Sequence, residues 1–372
     1  MENKMRQWLL LGTLGASCAL YFSVTDVKRP VPVLKPAAGT VASATQTEPA
    51  AMTVDDTVLA MLPMLERTDL EARRSALGAI EDALGGSGRT QLSDEVREKA
   101  SQAVVAAFQS SPEDTPEGRE TKAHALRVAV GTLGGETSRA FATEILSSAT
   151  DTWKLETIQT WLKPGAVSGQ QIREKAAELA RTDVVPDALK PQVLRRALGK
   201  KAETEIIALM NTAVGRPALA ACAVELQNIG KVEVMTPVLS RLEEAGMLDD
   251  HKKMPWISGK LLAEHIKQVD GKDLERALKV VYLRPSLTRA TGKAIQGRAG
   301  HPDANVRKLV ARIIPDAVKS ESIDVASGEE LLLARLKEET DAAVKGEIEG
   351  SLAEVRKTRP ATEAATPTPT AP

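Results

Sequence analysis

The chain is poor in rings: four Trp, two Tyr and three Phe among 372 residues, 2% of the total. Clefts for bases or sugars recruit aromatic side chains to stack on, so this composition argues against them. Cysteine is equally scarce, with only Cys18 and Cys222. Two such residues build neither a disulfide framework nor a zinc site. Cys222 sits in the apolar run ALAACAVEL and reads as a small buried residue. The four histidines, His124, His251, His265 and His301, show no HExxH or HxH spacing, and Glu264 falls on a different helical face from His265. Gly85-Gly86-Ser87-Gly88 approaches a nucleophile elbow, but Arg89 takes the place of the last glycine, so it reads as a helix-ending turn. Gly292-Lys293-Ala294 lacks the hydroxyl residue and the upstream glycine of a phosphate loop. No catalytic residue, cofactor-binding residue or metal ligand is assigned, no cofactor is expected, and the protein is not expected to be an enzyme. Lys and Arg number 49 against 50 Asp and Glu, a balance that argues against a nucleic-acid binder.

One long apolar run is present. Behind a basic lead, residues 1–7, the stretch Trp8–Val24 (WLLLGTLGASCALYFSV) carries no charged residue. A spanning helix needs about 20 apolar residues and at least roughly 17. Three readings fit: a retained transmembrane anchor, which the length favours, a cleavable signal, and a lipoprotein signal acylated at Cys18 after Gly15-Ala16-Ser17. Lys4 and Arg6 on one side and Lys28, Arg29 and Lys35 on the other leave orientation undecided by charge. The very short N-terminal tail favours a body outside the inner membrane. The expectation is therefore a single-pass, bacterial-type inner-membrane protein with a periplasmic body; a lipoprotein or a secreted protein is the alternative. Residues 25–52, rich in Pro, Ala and Thr, read as a linker, and residues 358–372 as a disordered Thr/Pro-rich tail.

Between them lies a body, residues 53–357, where helical periodicity dominates. In Pro302–Lys319, Val306, Leu309, Val310, Ile313, Ile314, Ala317 and Val318 form one apolar stripe, with Arg307, Lys308, Arg312 and Lys319 on other faces. Met235, Val238, Leu239 and Leu242 repeat the pattern. Thr68-Asp69-Leu70-Glu71 and Ser327-Gly328-Glu329-Glu330 read as capping boxes, and Thr115-Pro116-Glu117 as a cap followed by proline. Stops are expected at Gly85-Gly86, Gly134-Gly135, Gly199, Gly230 and Gly246. The pattern predicts about sixteen helices of roughly 11–17 residues. Val280–Leu283 is the only run that suits a strand, and a helix end suits it equally. The class is all-α.

Four segments share a basic residue followed by small apolar positions: ARRSALGAI from Ala72, VREKASQAV from Val96, IREKAAELA from Ile172 and VRKLVARII from Val306. Together with the preceding His301-Pro302-Asp303-Ala304-Asn305, the last resembles the second-helix signature of HEAT-like repeats, in which Pro and Asp shape the turn. The resemblance implies stacked helical hairpins forming an α-solenoid, with an irregular helical bundle as the alternative. It also implies binding of a protein partner along a concave face. In this setting Asp303 is expected to bond neighbouring turn backbone and Arg307 to bridge to an adjacent repeat.

Charge is unevenly spread. Acids outnumber bases from Thr53 to Glu120, and bases outnumber acids from His251 to Val310. Lys252, Lys253, Lys260, Lys267, Lys279, Arg284, Arg289, Lys293 and Arg298 form the candidate partner-binding basic face; a solvated face and a match to the acidic end of the same chain are the other readings. The resulting expectation is a membrane-anchored, helical-repeat scaffold for protein–protein interaction in the cell envelope. Two alternatives stand beside it: an enzyme or enzyme-assisting module with a site assembled from distant helices, and a cytoplasm-facing adaptor with its basic face on anionic lipid or an acidic partner.

Overall fold

The computed structural model describes residues 52–85, 88–249 and 254–358. Among these residues every regular element is helical and no strand occurs. The chain opens with α1 (Val54–Leu65) and α2 (Leu70–Ala83), then, past a single turn at Gly88–Gln91, α3 (Asp94–Ser110) and α4 (Pro116–Arg127). A π-helical segment, Val128–Leu133, leads into α5 (Gly135–Ser148) and α6 (Asp151–Trp161). The middle holds α7 (Gln170–Ala180), α8 (Lys190–Leu198), α9 (Glu203–Thr212), α10 (Arg216–Asn228) and α11 (Met235–Glu244). The last part holds α12 (Gly259–Gln268), α13 (Gly271–Tyr282), α14 (Arg289–Gln296), α15 (Ala304–Lys319), α16 (Val325–Glu338) and α17 (Ala342–Lys357). Val280–Leu283, the strand candidate, is the end of α13 and its cap.

Short polar side chains set where helices begin, because the first N–H groups of a helix lack partners of their own. Thr115 accepts from the Gly118 N–H, as its sequence implied. Two starts differ from expectation. Asp69 rather than Thr68 caps α2, accepting from Glu71 N at 3.0 Å. Asp324 caps α16, which places Ser327 inside the first turn. Pro302 lies ahead of α15, whose cap is Asp303, accepting from Asn305 N at 2.8 Å. The π-helical segment ends at Gly134, where φ is 76°, a left-handed conformation that glycine adopts without Cβ strain.

Most helices pack on the next one, the next but one, or both. α1 packs on α2 and α3, α3 on α4 and α5, and α5 on α6 and α7. Farther along, α9 meets α11, α11 meets α13, α13 meets α15 and α15 meets α17. A second row runs α2–α4–α6, then α8–α10 and α12–α14. Alanine and glycine permit this closeness. A Cβ on Gly292 in α14 would sit 2.4 Å from the Ser322 carbonyl oxygen, and one on Gly328 would sit 2.8 Å from a Val318 methyl. The apolar stripes of α11 and α15 are buried as expected except for half-buried Leu309, with Met235, Val238, Leu239, Leu242, Ile313 and Ile314 all at 0% exposure.

The expected membrane placement requires correction. Among the described residues no helix is long and apolar enough to cross a membrane, which conflicts with a single-pass inner-membrane protein. Trp8–Val24, on which that expectation rested, and Cys18 within it lie outside the described residues.

Candidate interaction surface

The four related segments share a structural position. Arg73, Arg97, Arg173 and Arg307 are each the fourth residue after the helix N-cap, behind a buried Ala72, Val96, Ile172 or Val306. From there the guanidinium folds back onto the turn that leads into the helix. Arg73 Nε donates to the Arg67 carbonyl and Arg97 to Leu92 O at 3.0 Å. Arg173 reaches Ser168 Oγ at 3.4 Å, and Arg307 the carbonyls of His301 and Pro302 at 2.9 and 2.7 Å. The other edge of Arg307 forms a two-pronged pair with Glu339, the C-cap of α16, at 2.7 and 2.9 Å, and so ties α15 to the end of α16. The Arg307 hydrogen bonds hold the Glu339 carboxyl at about 2, below the usual range and against its burial; Thr340 and Asp341 N–H groups add to them.

A second set of arginines collects the carbonyls left open at helix C-termini, where the helix dipole is negative. Arg241 donates to Met210 O and Ala213 O beyond α9, and Arg196 to Leu162 O at the end of α6. Arg298 donates to Ile266 O, Lys267 O and Val269 O at the end of α12, at 2.7 to 3.0 Å. These contacts span 28 to 34 residues.

This geometry divides the candidate basic face. Lys252 and Lys253 lie outside the described residues. Arg298 is engaged by backbone carbonyls. Lys267 pairs with Glu264 at 2.9 Å, and Lys279 with Glu275 at 3.2 Å. Lys279, Lys272 and Arg276 all surround Glu243, whose carboxyl burial pushes up but hydrogen bonds from Arg276 and Lys272 hold below its ordinary value. Glu243 and Glu339 were not singled out from sequence: each meets its arginine 33 or 32 residues away along the chain, and of the two only Glu339 is reached by one of the recurrent arginines, Arg307. Lys260, Arg284, Arg289 and Lys293 make no ion pair among the described residues. Arg289 and Lys293, one turn apart on α14, line a cleft of about 510 Å³ whose far wall is the α15–α16 turn.

A second cleft, about 590 Å³, lies between α5 and the start of α7, lined by Glu136, Arg139, Thr143, Gln170 and Glu174 among others. No group of three or more His, Cys, Asp or Glu that could hold a metal occurs among the described residues. His124 pairs with Glu81 at 3.2 Å, while His301 accepts from the Asp303 N–H and bonds Asp270. His265 is buried with its Nε2 lacking a partner, and that burial lowers its pKa. Cys222 is 1% exposed, and burial pushes its thiol up to about 12, far from a nucleophile's range.

No family model matches the chain, and neither does any curated protein. Among solved structures, the crystal structure of an engineered protein aligns with 80% of this chain and 88% of its own, at 16% identity and a TM-score of 0.25. At that score the likeness carries no structural argument.

Proposed function

We propose that the helical body is an α-solenoid of stacked hairpins, similar to HEAT-like repeats, and that it serves as a scaffold holding a protein partner. The observation that carries this reading is the packing order: most helices rest on the next one, the next but one, or both. An array built that way buries its core between neighbours and leaves a long surface for binding. The recurring arginine at the fourth helical position and the arginine contacts one hairpin apart support the same reading, since a repeated unit reuses its joints.

Affinity-tagged full-length protein, cross-linked in extract from its native source, tests the proposal. The scaffold reading expects a partner that re-binds stoichiometrically after both are purified, with cross-links on the exposed helical faces. Absence of any such partner, together with turnover of a small-molecule substrate by the purified protein, would sink it.

A further inference from the structure

The π-helical segment Val128–Leu133 breaks an otherwise regular pattern, and such segments often mark functional positions. In an α-helix the Val130 carbonyl would take the N–H of Gly134, four residues on. Here that N–H reaches one residue farther back, to Ala129 O at 3.4 Å, longer than an ordinary bond. Val130 O instead accepts from Val167 N at 2.8 Å. Val167 belongs to the irregular stretch Ala166–Ser168, a strap that runs from the turn after α6 toward α7. A carbonyl that an α-helix would use internally thus holds a segment far along the chain.

Two donors compete for Val130 O. Burial favours the observed one: Ala166 and Val167 are 8% and 4% exposed, and Ser101 Oγ fixes the end of the segment by donating to Gly134 O at 3.0 Å. The helix favours the other, because with Gly134 as donor it regains a bond of ordinary length. The backbone can make the change, since Gly134 and Gly135 follow one another with φ of 76° and 93°, and glycine enters or leaves that region without Cβ strain. A cleft registers it. Ala166, Val167 and Ser168 line a space of about 340 Å³ together with Leu133, Gly134 and Gly135. Arg139 is common to this cleft and to the one of 590 Å³ between α5 and α7.

We propose that Val128–Leu133 and Ala166–Ser168 form a two-state joint that closes and opens this cleft. In the closed state, the one described above, the Val167 N–H holds Val130 O and the segment is π-helical. In the open state the Gly134 N–H takes Val130 O, the segment is α-helical, and Ala166–Ser168 is released, which widens the cleft. One donor leaves the carbonyl as the other arrives, so the two movements are coupled. The joint does not depend on the scaffold reading and stands or falls without it.

Hydrogen exchange of single amides in the full-length protein, read by NMR or by fragmentation mass spectrometry, tests the coupling. V167P removes the competing N–H. The joint expects the Gly134 amide to exchange about tenfold more slowly in this variant, because it gains Val130 O at α-helical length. A static π-helix expects unchanged or faster exchange there, and that result overturns the inference. G134A strains the closed state, whose φ of 76° and ψ of −156° at this position suit glycine, and leaves the open state unstrained. In G134A the Val167 amide is expected to exchange about tenfold faster or more, while the amides of residues 133 and 134 slow. Any other result in G134A, a failure to fold included, overturns the joint. If V167P does not fold, G134A decides alone.

Discussion

Replacing Glu339 by glutamine isolates the joint between α15 and the end of α16. The side chain is 3% exposed and receives Arg307 through two hydrogen bonds, with two backbone N–H groups on the same carboxylate. Its pKa falls from 4.5 to about 2. At ~1.4 kcal/mol per pKa unit the ionised form gains at most about 3 kcal/mol from these contacts. Arg307 is 18% exposed, so water screens part of that, and a loss of about 2 kcal/mol in E339Q at pH 7 is the expectation. Because the folded pKa lies below the unfolded value of about 4.3, the stabilisation is fully present above that value. It fades as pH falls toward about 2. The gap between wild type and E339Q should therefore fall to roughly half by pH 3. Proteins open locally as well as globally, so amide hydrogen exchange over α16 and α17, read by mass spectrometry, suits the measurement better than one global melting curve. About 30-fold faster exchange at pH 7, after correction for intrinsic rates, corresponds to the expected loss. A gap of the same size at pH 7 and pH 3 would refute the charge-based account, because the defect would then be steric.

Three further outcomes follow from packing and burial. G292A should destabilise by about 1–3 kcal/mol, since the new methyl meets the Ser322 carbonyl, whereas G346A on the open face of α17 should stabilise by up to about 1 kcal/mol; thermal melts of both variants decide this. His265 is neutral in the fold, and its lowered pKa means that the unfolded chain binds the proton more readily, so stability should decline as pH drops below about 6.5. H265L should flatten that decline in urea titrations, and an unchanged slope would show that another group is responsible. Cys222 should resist iodoacetamide in native buffer and react once α10 opens, as peptide-level mass spectrometry can show; rapid native labelling would contradict its burial.

The helices were legible because their signals are local. The apolar stripe of α15 and the Thr115 cap read correctly within one or two turns of chain, and the recurring basic residue was visible before its position was known. Two helix starts moved because an aspartate capped the helix first: Asp69 takes the Glu71 N–H in place of Thr68, and Asp324 takes the N–H of Ser327 itself, so that helix starts earlier than expected.

Charge was a different matter. By itself the sequence determined the helical class, the turn chemistry around Asp303 and the excess of cations between His251 and Val310. It could not say which of those cations face water. Tertiary structure decided that, placing Glu243 amid Lys272, Arg276 and Lys279, and the open carbonyls of α12 under Arg298, while leaving Lys260, Arg284, Arg289 and Lys293 without a carboxylate among the described residues. The reason is distance along the chain: the partners of Arg276, Arg298 and Arg307 lie 32 or 33 residues away, a separation that only packing closes.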